Sequence, residues 1–171
     1  KRDSLKGVKN VGTWRSSISS FLGRLRWHCH FIQKLEDQPS IEWKNMSSSY
    51  DNIRDNDFNK EYFEAWVKGL TGYPLIDACM RCLRSTGYIN FRMRAMLVSF
   101  ASYDLWLDWR ITSKYLATQF LDYEPGIHYS QFQMQSGVTG INSIRIYSPV
   151  KQQKDHDPKA VFVRKWVPEL K

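Results

Sequence analysis

The chain has 171 residues, 42% of them apolar and 15% aromatic, with a formal net charge of +8. That length supports one domain with a core of its own, and no apolar run approaches the roughly 20 residues a membrane-spanning helix needs, so a soluble domain is expected. The three cysteines, Cys29, Cys79 and Cys82, cannot make a disulfide framework, and the opening KRDSLKGVKN lacks the apolar stretch of a signal peptide; both point to an intracellular location, cytoplasmic in a bacterium.

The chain opens without Met on a basic, turn-rich lead, which reads as part of something longer. From Thr13 to about Leu35 the residues Trp14, Ile18, Phe21, Leu22, Leu25, Cys29 and Ile32 recur at three- and four-residue spacing, the stripe of an amphipathic helix. Residues 36–58 have no such period and are dense in Asp, Asn and Ser, so they read as a long surface loop. A short helix follows over Asn59–Lys68. Pro74 is placed as the first residue of the next, whose face is Leu75, Ile76, Cys79, Met80 and Leu83 and which Gly87 ends.

Asn90 to Trp109 is apolar nearly all round and predicts a central helix buried on every side. Ile111–Leu121 predicts another, stopped by the turn Asp122 to Gly126, with a short helical piece at 127–136. Beyond Gly137 the composition turns to loop residues, and Lys159–Trp166 is the one further helical segment. The pattern is all-α with long irregular loops.

A buried helix carries arginine only where a partner compensates the charge, because an unpaired buried charge costs several kcal/mol. Arg94 therefore requires a carboxylate, with Asp122, Asp108 and Glu124 as candidates. The basic surplus lies in 1–34, 81–94 and 145–171, a distribution that suits phosphate backbones. Among seven tryptophans, Trp106 and Trp109 stand three apart on the predicted central helix and would touch, while Trp14 and Trp66 read as core filler. His28 and His30, two apart on a helix, point in different directions and cannot form a same-face metal pair. Cys79 and Cys82 form a CxxC inside a helix with no second pair, so they read as packing residues and no metal is expected.

TGYPLIDACMR, TGYINFRMR, SFASYDLWLDWR, LDYEPG, SGVTGINSIRIYSP and KQQKDHDPKAVFVRKWVPEL, preceded by FLGRLRWHCHFIQKLE, resemble in order and spacing the flavin-binding helical domain of photolyases and cryptochromes. The resemblance implies FAD held in a cavity that opens on a basic face. In photolyases a pyrimidine lesion in damaged DNA is flipped into that cavity and split by an electron from the light-excited reduced flavin, a carbon–carbon lyase reaction. In cryptochromes the cavity serves light sensing. The family places an α/β antenna domain, and Ser/Thr that hold the FAD diphosphate, ahead of this region; neither is in these 171 residues, so a partial helical domain is expected.

Position by position, the resemblance puts Arg94 and Asp122 as an ion pair beside the flavin ring, Glu124 as a second flavin-side acid, and His128 facing the flavin N5, where many photolyases have Asn. Phe91 and His28 complete the expected cofactor-binding set. Trp27 matches an aromatic that packs on the flipped lesion, and Arg92 and Arg145 match residues on the DNA-contacting face. Departures fall on the lesion side: Arg24 stands where a glutamate is usual, Met134 where a tryptophan is, Phe91 for asparagine and Ala95 for methionine. Trp109 matches the middle electron-transfer tryptophan, whereas Phe132 takes the proximal place and Asn56 falls near the distal one. Trp106, Tyr129 and Tyr103 are the alternative carriers. Three functions follow as expectations: light-driven DNA repair, a blue-light receptor without repair activity, or a helical remnant that binds nucleic acid by charge alone.

Overall fold

A computed structural model describes residues 12–170; the basic lead at 1–11 lies outside them. Among the described residues there are helices and turns and no strand. The helices are α1 (Gly12–Asp37), α2 (Lys60–Lys68), α3 (Pro74–Thr86), α4 (Phe91–Ser99), α5 (Trp109–Ala117), α6 (Pro125–Ser136), α7 (Pro149–His156) and α8 (Val161–Trp166).

Local chemistry sets most of the ends. Asn59 and Asn90 cap α2 and α4 by accepting from Tyr62 N at 3.0 Å and Met93 N at 3.1 Å. Pro74 opens α3, and Gly87, at φ 70°, closes it. The Asp77 carboxylate turns back to accept from Thr71 N, Thr71 Oγ1 and Gly72 N at 2.7–3.0 Å, which fixes the bend between α2 and α3. One core cluster joins α2 through α6 and α8, with Trp66, Ile76, Met80, Leu83, Met96, Leu97, Phe100 and Leu107 fully buried. Cys79 and Cys82 belong to that core, and burial pushes the Cys79 thiol up. No described helix is long and apolar enough to cross a membrane.

Four expectations are corrected. The segment Asn90–Trp109 is not one helix: α4 widens into a π-helical turn over Phe100–Asp104, and the chain then breaks at Trp106, whose φ is 54°. Asp108 caps a new helix by accepting from Arg110 N. Trp106 and Trp109 therefore do not share a helix face; Trp106 is 46% exposed and Trp109 2%. An apolar count cannot register this break, because Leu105 and Leu107 on either side are still apolar and packed on the core.

Residues 36–58 form more than a surface loop. Ile41, Asn45 and Arg54 are buried, and α6 holds the segment through Gln133, whose Nε2 donates to Ile41 O and Lys44 O, both at 2.8 Å. Met46 N returns a bond to Gln133 Oε1 at 2.7 Å. α7 stands where loop was expected; it has no apolar face and starts from a Ser148 cap and Pro149 at its first position. Trp14 is not core filler but is 56% exposed, on a stretch of α1 where Phe21, Leu25 and Trp27 are exposed too.

Candidate functional site

Three helices and one turn converge on an apolar cavity of about 160 Å³. α4 contributes Phe91, Arg94, Ala95 and Val98, at the spacing of one helix face. α5 and the residues after it bring Leu116 and Phe120, and α6 brings Ile127, His128, Gln131, Phe132 and Gln135. The turn between α5 and α6 supplies Asp122, Tyr123 and Glu124. What aims α6 is Glu124, which caps it with both oxygens, accepting from Gly126 N at 3.1 Å and Ile127 N at 2.7 Å. Gly126 then lets α1 lie close, because a Cβ there would stand 2.7 Å from Phe31 O.

Arg94 finds Asp122 among its three candidate partners. Its Nη2 donates to both carboxylate oxygens, at 3.0 and 2.9 Å, and its Nε donates to Ile89 O at 2.8 Å. The guanidinium lies 4.2 Å from the Phe120 ring centroid, a cation–π arrangement that holds it flat against the wall. The pair sits at the rim, with the arginine mostly covered and the aspartate half-exposed. Asp108 is occupied by Arg110 at 2.7 Å, and Glu124 by its cap.

His128 is 8% exposed. Phe120, Tyr123, Tyr129 and Phe132 surround it, with ring centroids 4.6–6.1 Å away. Its Nε2 lies 2.9 Å from Ser113 O. Burial above all, with the nearby Arg94 charge adding to it, lowers its pKa to about 4, so the ring is neutral at ordinary pH.

The remaining expected site residues scatter. Phe91 stands exposed at the lip and also borders a second cavity of about 540 Å³, onto which Arg92 opens. Ala95 is in the wall; Met134, on α6, is half-buried and does not line the cavity. His28 does not line it either and is exposed on α1. Arg24 and Trp27 are exposed on α1, with Trp27 stacked at 5.7 Å on Phe31. Arg145 is exposed as well.

Of the aromatic candidates, Trp109 donates from Nε1 to Asn45 Oδ1 at 2.8 Å, deep in the fold. Trp106 donates to Asp57 Oδ2 at 3.0 Å at the surface and stacks on Arg54 at 4.6 Å. Tyr103 lies 5.5 Å from the same guanidinium, with its hydroxyl buried and without a partner among the described residues. Phe132 is in the cavity wall beside His128, and Asn56 is exposed. Sequence reasoning missed Val98, Leu116, Phe120, Tyr123, Ile127, Gln131 and Gln135; a helical-spacing signal was available for Val98, four residues after Arg94, and for Gln131 and Gln135, three and seven after His128.

The residues fit one wall of a flavin site. The cavity is apolar, a guanidinium stands at its rim, and His128 Nδ1 has no partner among the described residues. Its volume is below the roughly 300 Å³ at which ligand pockets begin, so the cavity has room for part of a dinucleotide and does not enclose one.

An all-helical fold with a charged pair at the lip of an apolar cavity defines a helical cofactor-binding domain. The family described as the FAD binding domain of DNA photolyase matches residues 21–171, and the chain belongs to it. A deoxyribodipyrimidine photo-lyase of Neurospora crassa is 31% identical over 167 residues, covering 96% of this chain and 27% of that protein. A chloroplastic/mitochondrial cryptochrome DASH of Solanum lycopersicum is 41% identical over 110 residues, covering 64% of this chain and 19% of that protein. The solved archaeal photolyase of Sulfolobus tokodaii, which holds two FAD molecules, superposes with a TM-score of 0.84 at 37% identity, over 98% of this chain and 37% of its own. The chain thus spans well under half the length of each of these relatives.

Proposed function

We propose that this chain forms one wall of the flavin site in a light-driven DNA repair protein of the deoxyribodipyrimidine photolyase type. The observation that carries the reading is the Arg94–Asp122 pair at the rim of the apolar cavity. Bound and reduced, FAD would supply a light-excited electron for splitting the carbon–carbon bonds of a pyrimidine lesion. Arg94 has Nη1 free of any bond to a described residue, and this N–H would meet an acceptor on the edge of the ring. Asp122 keeps the guanidinium from turning away. Glu124 fixes the start of α6 and so the position of His128.

The exposed Arg24, Arg92 and Arg145 would meet DNA phosphates, and the exposed Trp27 ring offers a stacking surface for a flipped base. Trp109 and Trp106 stay as electron carriers, one buried and one at the surface.

A second reading is a cryptochrome-type light receptor. It is favoured by Phe91, an exposed apolar ring at the cavity mouth where the resemblance has asparagine, and by the similarity to a cryptochrome DASH. Two experiments test these readings. The protein is first mixed with FAD and followed by flavin absorption; a chain that refuses FAD leaves only charge-driven nucleic-acid binding. The reduced holoprotein is then illuminated with UV-damaged oligonucleotides, and loss of cyclobutane and (6-4) lesions is measured separately. Loss of either supports repair, and loss of neither supports the receptor.

A further inference from the structure

The second cavity, of about 540 Å³, takes no part in the flavin site and shares only Phe91 with it. Its volume falls in the range of small-molecule sites, roughly 300–1,000 Å³. Its apolar lining comes from three helices: Leu75 of α3 and Met96 of α4 are buried, and Met93 of α4 and Phe162 of α8 are half-buried and packed on the core. An aromatic ring and two thioethers are surfaces on which a flat ring packs well.

The polar lining is one-sided. Both oxygens of Asp157 are spent on the start of α8, accepting from Phe162 N at 3.2 Å and Val163 N at 2.9 Å. Asn90 Oδ1 is spent on the start of α4, accepting from Met93 N at 3.1 Å. What remains are donors. Arg92 is an exposed cation at this cavity. Gln152 Oε1 is sealed without a partner among the described residues, so its amino group is the end left open. His156 stands four residues further along the same face of α7. α7 has no apolar face to bury, and these two side chains are what it brings to the cavity.

We propose that the second cavity binds one undamaged nucleotide, its base against Phe162 and the two methionines and its phosphate at Arg92, Gln152 and His156. A flat body met by a ring and thioethers, joined to an anion met by a guanidinium, an imidazole and an amide, is the chemistry of a nucleotide. With the Asp157 carboxylate engaged by α8, the donors face no competing anion in the lining. The nucleotide is either part of a strand or free in solution, and the contacts are the same for both. The site needs no flavin, so it goes beyond the reading above.

The test uses the full chain without FAD, with deoxyadenosine monophosphate as the probe and inorganic phosphate as its control. Methyl ¹³C NMR is expected to show the nucleotide shifting Leu75, Met93 and Met96 of the second cavity while Val98, Leu116 and Ile127 of the first stay in place. Phosphate alone is expected to bind about tenfold more weakly, the worth of one stacked base. Gln152→Glu, which sets a carboxylate against the phosphate at unchanged bulk, and Phe162→Ala are each expected to weaken the nucleotide about tenfold. An undamaged single-stranded oligonucleotide separates the sources: competition at the Met96 methyl assigns the site to a strand, and its absence assigns it to a free nucleotide. A nucleotide held no tighter than phosphate, shifts confined to the first cavity, or wild-type affinity in Gln152→Glu overturns the proposal. None of these outcomes touches FAD uptake, and a chain that refuses FAD leaves the second cavity as it is.

Discussion

Helices α1 and α6 lie against each other and obey opposite rules. α1 has the apolar period of a core helix, yet from Thr13 to His30 it buries almost nothing, and Phe21 is 63% exposed. α6 has polar residues on every side, yet His128, Ser130, Gln133 and Ser136 are all buried in it. Three of these have their polar atoms engaged: His128 with Ser113 O, Gln133 with three backbone groups, and Ser136 with Ser102 Oγ at 2.9 Å. Ser130 Oγ alone has no partner among the described residues. Periodicity says that a stretch will be helical; what covers the helix is decided by the groups that surround it.

The contrast can be broken hardest at Gln133. Replacing it by Leu keeps the bulk but leaves Ile41 O, Lys44 O and Met46 N without their partner, and a loss of about 4 kcal/mol in urea denaturation is expected. Segment 36–58 should loosen at the same time, read as faster amide exchange around Met46.

His128 sharpens the contrast through pH. Its pKa in the folded chain, about 4, is below the ordinary 6.5. The unfolded chain therefore binds more protons between these values, and stability falls as pH drops from 6.5 toward 4. The full effect is about 3 kcal/mol, and His128→Phe should flatten the stability profile in that window.

Gly126→Ala tests the contact between the two helices directly. Its new Cβ would meet Phe31 O and Ile32 Cα at 2.7 and 2.9 Å, both backbone, so α1 must move off α6 at a cost of about 2 kcal/mol. Asp122→Asn removes a half-exposed ion pair, worth about 1 kcal/mol in thermal stability; the larger readout is weaker FAD uptake. Trp14→Ser on the exposed face of α1 should change stability by less than about 0.5 kcal/mol. A larger loss would mean that the α1 stripe is already covered in solution.

Much of this was legible in the sequence because the signals are local. Pro74 and Gly87 mark their helix ends through backbone geometry that neighbouring residues alone determine. The need of Arg94 for a carboxylate was legible too, since a guanidinium in an apolar helix must be paired. Which carboxylate answered it came only from the family resemblance and not from the residues' own chemistry, because the choice depended on Asp108 turning to Arg110 and Glu124 turning to its own helix. The break at Trp106 stayed hidden for a similar reason. Its strained backbone is held by bonds from Trp106 to Asp57 and from Arg110 to Asp55, residues about fifty positions earlier in the chain.

By itself, then, the sequence determined an all-helical chain, the family it belongs to, and the residues from which a flavin wall would be drawn. These depend on side-chain period, capping chemistry and ordered motifs, all readable one stretch at a time. Tertiary structure alone decided that Asp108 and Glu124 are taken by other groups, that Trp106 and Trp109 part company, that His28 stands away from the cavity, and that the His128 ring meets the Ser113 carbonyl. Each of these is a choice among several chemically adequate partners, and only distance in the folded chain makes it.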